Sequence, residues 1–213
     1  MVSRATPLLM ERLGFSCLPI RPWVDGLRFI APDWCDIYDM LLALSRRIVE
    51  GGLNPDIIVG ISMGGLIPAA VLADLLGLEL DAVGVRFYQG VGERGERPHI
   101  VQDVSADLGG KLVLVVDDVA DSGHTLEAVR EYVQGRGARG LVVCTLHYKP
   151  WSVVKPDIHM EETEAWIIYP WERNEALTDI IERMRSEGLS EEEMREEMIS
   201  SGIPEWLVEE MLR

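Results

Sequence analysis

The chain has 213 residues, 47% of them hydrophobic, and a formal charge of −16 at pH 7. That length fits one main domain with room for an appendage, and that apolar content can bury a real core. The charge argues against a nucleic-acid partner, whose phosphates have to be met by Lys and Arg; no apolar run approaches the length of a membrane span.

The opening stretch, MVSRATPLLMERLGF, is too short in its apolar part and charged too soon to read as a signal peptide. Cys17, Cys35 and Cys144 are odd in number and widely spaced, so they read as buried, reduced thiols of a cytoplasmic protein. Amide side chains are few (Asn54, Asn174, Gln89, Gln102 and Gln134) and Arg far outnumbers Lys, which suggests a heat-loving source, although nine methionines pull the other way.

Residues 1–32 carry little signal beyond Pro7, Pro19, Pro22 and Pro32 and read as a lead of loop and short strand. Asp33 then stands as a helix N-cap with Asp36 three residues on, and Ile37, Met40, Leu41, Leu44 and Ile48 recur at helical spacing until Gly51-Gly52. Asp56-IIVGIS reads as a buried strand, Met63-Gly64-Gly65 as the tight turn after it, and LIPAAVLADLLG as a helix. A strand, glycine turn and helix in that order can seat an anion on backbone N–H groups at the positive helix end. The same glycines also serve a plain tight crossing.

Leu78 to Tyr88 continues as strand, followed by Gln89-GVGERGERPHI. Gly90, Gly92 and Gly95 match G-x-G-x-x-G formally, but Pro98 intervenes and no helix opens after Gly95, so the dinucleotide reading is rejected. The segment reads as a hairpin tip able to act as a mobile lid, with Arg94 and Arg97 within reach of an anion.

Lys111 to Leu126, KLVLVVDDVADSGHTL, is the stretch around which the chain is organised. Leu112 to Val116 is a strand apolar on both faces. Asp117 and Asp118 follow where that strand should surface, in the crevice at which open α/β sheets bind ligands. Asp121-Ser122-Gly123-His124-Thr125 is a short polar turn, with a helical pattern from Leu126 onward. Free N–H groups, two hydroxyls and a glycine that lets the backbone approach make it a seat for a phosphate.

The helix from Leu126 ends near Gly135 to Gly140, and Leu141-VVCTLHYK is another buried strand, ending at Lys149-Pro150. A lysine there points to the same crevice, although a surface lysine at an edge is the commoner case. Asp157-IHMEE and Ala165-WIIYPWE close the domain. Aromatic faces suit flat heterocycles, but a Trp in an apolar run is more often core.

From Asn174 the composition changes. Leu177, Ile180, Ile181 and Met184 form one stripe, and Ser190 with Glu193 makes a capping box for a helix carrying Met194, Met198 and Ile199. Gly202-Ile203-Pro204 opens a third helix with Trp206, Leu207, Met211 and Leu212 expected inward. Roughly half of the net negative charge lies on this stretch. The domain reading is therefore a lead over 1–32, a main domain over 33–172 and an acidic three-helix extension over 173–213.

The segment VVDDVADSGHTL resembles the phosphoribosyl-pyrophosphate signature of the type I phosphoribosyltransferases. The resemblance implies an α/β fold, a parallel sheet flanked by helices, to which the three-helix appendage is added. By position it gives Asp117 and Asp118 the ribose hydroxyls, directly or through Mg2+, Asp121 the proton of the incoming base, and Asp121 to Thr125 the 5′-phosphate. It gives the pyrophosphate to Ser62, Met63, Gly64 and Gly65. The family's usual basic residue before the two glycines is replaced by Met63, and Arg86 is the candidate to supply that charge. The lid corresponds to Tyr88, Gly90, Gly92, Arg94, Gly95 and Arg97, with Phe87-Tyr88 where the family often has Ser-Tyr.

Lys149-Pro150 is similar to the lysine of the 6-oxopurine members that hydrogen-bonds the purine O6. Trp166 to Trp171 resembles the base-binding segment of the xanthine–guanine members, with Trp166 stacking on the purine and the Ile167 backbone at its edge. The implied partners are phosphoribosyl pyrophosphate and a purine base, with no nucleic acid and no membrane, in a homodimer. The expected reaction is phosphoribosyl transfer to N9 of a 6-oxopurine. Adenine is the alternative base. A regulator that senses phosphoribosyl pyrophosphate is the non-enzyme alternative, and neither a basic face nor a helix-turn-helix segment supports it.

Overall fold

A computed structural model describes residues 22–23, 27–89, 96–201 and 203–212 of the chain. These fall into two compact units, one over 37–164 and the other combining the residues up to 36 with those from 165 onward. The division falls within the first helix and just ahead of Trp166.

The 37–164 unit is built on six strands, β3 (Ile57–Ser62), β4 (Leu80–Gln89), β5 (Glu96–Gln102), β6 (Leu112–Ala120), β7 (Gly140–Tyr148) and β8 (Ile158–Glu162), in the order β5-β4-β3-β6-β7-β8. All neighbouring pairs are parallel except β4–β5, which closes one edge as an antiparallel hairpin. The chain reverses direction of travel between the adjacent strands β3 and β6, the place at which an open α/β sheet leaves a crevice outside its carboxyl ends.

Helix α1 (Trp34–Glu50) leads into this sheet, and α2 (Leu66–Leu76) and α3 (His124–Gly135) connect its strands. Alternate strand residues feed both faces. Ile57, Val59, Ile61, Val113, Val115 and Val143 pack with Leu126, Val129 and Val133 of α3, while Ile58, Leu114 and Leu146 are equally buried. A sheet covered on both sides explains the uninterrupted apolar runs in its strands.

The cap at α1 forms as its spacing predicts. Asp33 Oδ1 accepts from the N–H groups of Cys35 (2.7 Å) and Asp36 (2.9 Å), and Asp36 Oδ2 accepts from the Asp33 N–H. Cys144 is buried, and burial pushes its thiol up to about 12. Cys35, expected to be buried, is exposed. Two residues before Ile37, it lies about 200° around the helix from the face that Ile37, Leu41, Leu44 and Ile48 bury.

In the other unit, β1 (Pro22–Trp23) pairs antiparallel with β2 (Leu27–Ile30), which pairs in parallel with β9 (Trp166–Ile167). Helices α4 (Arg173–Ser186), α5 (Glu191–Ser200) and α6 (Glu205–Met211) follow. Leu177, Ile180, Ile181, Met184, Met194, Met198, Ile203 and Val208 make one core with Phe29 and Ile168. The Ser190–Glu193 capping box is present in full. Trp206, expected inward, is 69% exposed. Val208 takes the buried position of α6, and a residue two places away points to the opposite side of so short a helix.

Candidate active site

The site is assembled at the carboxyl ends of β3, β6 and β7. At the end of β3 the Ser62–Met63 peptide is cis, and the chain turns through Met63, Gly64 and Gly65 into α2. The Gly65 N–H donates to the Ile61 carbonyl at 2.9 Å, and the Leu66 N–H to the Met63 carbonyl at 3.2 Å. A methyl group at Gly65 would run into the Val116 carbonyl, and one at Gly64 would overlap the carboxylate of Asp118. The glycine turn and the paired carboxylates therefore share one confined space.

Strand β6 runs beyond the expected surfacing point, through Asp117 and Asp118 to Ala120, because β7 continues beside it: Asp117 pairs with Thr145, Val119 with His147 and Ala120 with Tyr148. Asp118 is consequently buried, and its Oδ1 accepts from the Val119 N–H at 2.7 Å. Burial, and then the charge of Asp118, push the Asp117 carboxyl well above the usual carboxylate range. Bringing a cation to this pair would relieve that repulsion.

Magnesium keeps several waters and takes one or two carboxylates together with substrate phosphates, and this pair fits that demand. Among the described residues no group of three or more His, Cys, Asp or Glu could hold a metal ion. The remaining ligands would have to come from substrate and water.

Helix α3 begins at His124, two residues earlier than its apolar pattern indicates. Gly123, the N-cap, has φ +85°, and this left-handed conformation turns the chain at once from strand to helix. His124 and Thr125 thus lie in the first turn, where N–H groups have no intrahelical partner, and no side chain caps them. A phosphate on the Ser122–Thr125 turn would meet those donors and the positive helix end.

Two supports of this turn escape sequence reasoning. The Val153 N–H donates to the Ser122 carbonyl at 3.0 Å, and the Lys149 N–H to the Ala120 carbonyl at 3.0 Å. A Cβ at Gly123 would come within 2.5 Å of Ser152 Oγ and 2.7 Å of the Val154 nitrogen. The segment 149–154 is thus laid directly against the phosphate turn. The only sequence signal for it is an unexplained Trp after Lys-Pro.

Lys149 is only 5% exposed. Burial pulls its ammonium below the ordinary lysine range, and the negative charges of Asp121 and then Glu164 oppose that shift. Its Nζ lies 5.5 Å from the centroid of the Trp151 ring. The Trp151 indole N–H in turn donates to Asp121 Oδ1 at 3.0 Å.

Behind Lys149, His147 is buried and pushed down to about 3, first by burial and then by the Lys149 charge. His147 Nε2 stands 3.7 Å from Glu161 Oε2, but burial also pushes the Glu161 carboxyl up, so the contact joins a neutral imidazole to a half-buried acid. The unfolded chain holds the imidazole near its ordinary value of about 6.5. From there down to about pH 3 the unfolded state binds the extra proton, so stability falls as pH drops through that window. His147→Gln should flatten the fall in unfolding free energy, measured by urea titration, between pH 7 and pH 4 by up to about 1.4 kcal/mol per pH unit. An unchanged pH slope would mean that the buried imidazole does not carry this term.

Arg86 is exposed on β4, two residues past Gly84, which pairs with Ser62. It therefore sits at the same sheet edge as the Met63 turn, where Met63 itself is 84% exposed. Of the expected lid, Gly90, Gly92, Arg94 and Gly95 lie outside the described residues; Tyr88 and Arg97 are placed as a pair in the β4–β5 hairpin. Trp166 and Ile167 belong to the other unit. There the Trp166 ring is 53% exposed, Ile167 is buried, and the Ile168 N–H donates to the Ile30 carbonyl at 2.8 Å.

A phosphoribosyl transferase domain matches residues 33–176, about two thirds of the chain. The chain belongs to the phosphoribosyltransferase family. Among relatives of this phosphoribosyltransferase, the xanthine-guanine phosphoribosyltransferase of Idiomarina loihiensis is 32% identical over 153 residues, covering 70% of this chain and 90% of the relative. The enzyme of the same name from Cereibacter sphaeroides is 31% identical over 65% of this chain and 84% of its own. Among solved structures, the purine phosphoribosyltransferase of Pyrococcus horikoshii matches with a TM-score of 0.62 and 40% identity, over 67% of this chain and 93% of that one. The family match ends within α4, so α5 and α6 lie beyond it.

Proposed function

We propose that this phosphoribosyltransferase joins N9 of a free 6-oxopurine to C1′ of phosphoribosyl pyrophosphate, giving a purine nucleoside monophosphate and pyrophosphate. The observation that carries the reading is that buried Lys149 and exposed Asp121, at the mouth of the phosphate turn, are both in contact with Trp151, and that the Asp121 charge acts on the Lys149 ammonium. On a purine, O6 and N7 lie on one edge of the ring. A cationic donor beside a carboxylate matches a 6-oxo group beside an N7 proton. A 6-amino group would present hydrogens to that lysine. The named relatives, which act on xanthine and guanine, point to the same bases.

The C1′–O bond to pyrophosphate breaks as the N9–C1′ bond forms, through an oxocarbenium-like ribosyl cation. Asp117 and Asp118 hold the ribose hydroxyls and favour the developing positive charge. The Ser122–Thr125 turn anchors the 5′-phosphate, and the Met63–Gly65 turn with Arg86 receives the pyrophosphate. Asp121 takes the proton from N7 as N9 becomes bonded. Mg2+, held by Asp117 and Asp118, would neutralise charge on the departing pyrophosphate. The family resemblance assigns the base platform to Trp166 and Ile167.

Turnover with phosphoribosyl pyrophosphate, Mg2+ and each of hypoxanthine, guanine, xanthine and adenine tests the reading. Product from the oxo bases is expected, with adenine at least about 100-fold poorer in kcat/KM. Lys149→Met should cut oxopurine kcat/KM by about 10- to 100-fold and leave adenine unaffected. Product from adenine alone would overturn the base assignment but not the transferase, and no product from any base would overturn both.

A further inference from the structure

Trp151 has no part in the reaction as set out above, yet it touches both groups that address the purine edge. Its indole N–H donates to Asp121 Oδ1 at 3.0 Å, and its ring face lies 5.5 Å from Lys149 Nζ. The ring is 55% exposed, so it does not belong to the core. A large aromatic left in water while its N–H and its π-face are both engaged is held by those contacts and by its short loop. That loop is itself fixed: the Ser152 N–H donates to the Lys149 carbonyl at 3.0 Å, Ser152 Oγ donates to the Val154 carbonyl, and Val153 is tied to Ser122.

We infer that Trp151 is a positioning residue of the transfer reaction, holding the Asp121 carboxylate by its N–H and the Lys149 ammonium by its ring face so that both meet one edge of the purine. This rests on the proposed transfer to a 6-oxopurine. The two contacts act differently. An N–H pointed at one carboxylate oxygen fixes the rotation of Asp121, which leaves the other oxygen turned to the base. The π-face attracts the ammonium without itself consuming any of its hydrogens. An acidic neighbour in place of Trp151 would neutralise Lys149, and an aliphatic one would let Asp121 swing toward it and close the pair into an ion bridge.

Trp151→Phe separates the two functions, because it keeps a ring for Lys149 and removes the donor to Asp121. In the full chain it should lower kcat by roughly 3- to 30-fold while the KM for phosphoribosyl pyrophosphate stays within about twofold. Trp151→Ala should in addition raise the KM for the oxopurine. The decisive comparison is Trp151→Phe combined with Asp121→Asn. If Trp151 acts through Asp121, the double variant is no slower than Asp121→Asn alone. Multiplying losses, or a Trp151→Phe enzyme as fast as the parent, would overturn the inference.

A readout independent of turnover is the Trp151 indole N–H resonance in tryptophan-labelled protein, assigned by its absence from Trp151→Phe. Asp121→Ala should shift it and speed its exchange with solvent. An unmoved resonance would overturn the contact. A chain that turns over no purine while its Trp151 resonance answers to Asp121 would overturn the proposed function and leave the contact standing.

Discussion

Asp121→Asn should lower kcat for oxopurine transfer by about 100- to 10,000-fold, the range over which a positioned acid–base group acts. The substitution is nearly isosteric and keeps an oxygen to accept from the Trp151 indole, so the loop 149–154 should stay in place. The loss therefore isolates proton transfer from architecture. Binding of phosphoribosyl pyrophosphate should survive within a fewfold, because the proposed seat of the 5′-phosphate is the backbone donors of the turn, which the substitution leaves in place. Single-turnover rates alongside calorimetric binding would separate the two. A kcat within threefold of the parent would remove Asp121 as the group that manages N7. Lost binding with an intact single-turnover rate would reassign it to holding the phosphoribosyl ligand.

The second large effect concerns stability as well as activity. Gly65 has φ −74°, a conformation open to any residue, so Gly65→Ala carries no backbone penalty. What it meets is backbone on every side: the Ile61 carbonyl at 2.8 Å, Asp117 Cα at 2.9 Å and the Val116 carbonyl closer still. None of these can move without parting β3 from β6. Overpacking of this kind costs about 1–3 kcal/mol, and rigid backbone neighbours place it at the upper end. A loss near 3 kcal/mol should lower Tm by about 6–12 °C in a chain of this size, together with most of the transferase activity, since the same shift displaces Asp117. Gly77→Ala is the control. Its φ is +65° with nothing within 4 Å of the added methyl, so it should cost about 1 kcal/mol and leave activity unchanged. Equal losses in the two variants would mean that steric closeness at Gly65 is not what matters.

Much of the sheet is legible in one dimension. The runs Ile57–Ile61, Leu112–Val116 and Leu141–Cys144 are apolar without alternation because both faces are covered, and that pattern marks a parallel sheet before any coordinate is known. The phosphate turn is equally readable, since strand, acidic pair, small polar turn and helix follow within sixteen residues. The N-cap at Asp33 and the capping box at Ser190 are local chemistry, and both form as spacing predicts. What escapes is whatever depends on a neighbour far along the chain. The extension of β6 past Asp118 requires β7 beside it, and the burial of Lys149 requires the turn after Ala120. The orientation of α6 is missed for a related reason. Seven residues carry too few apolar positions to set a face, so Val208 and not Trp206 is chosen by the core of α4 and α5.

The order of the parts along the chain, a glycine turn, a carboxylate pair and a small polar turn, is legible in sequence because each is set by adjacent residues whose chemistry is local; the reaction class follows from the resemblance of that segment to the phosphoribosyltransferase signature. Only the tertiary structure decided how those parts share space. Parallel pairing of β3, β6 and β7 brings three strand ends to one edge, so Gly64 must be bare to admit the Asp118 carboxylate. It also places Trp151 between Asp121 and Lys149, groups 28 positions apart in sequence, and a contact across that separation has no signature in composition or period. Backbone and cap chemistry can be read from neighbours in sequence, while side-chain contacts across strands exist only once the register is set.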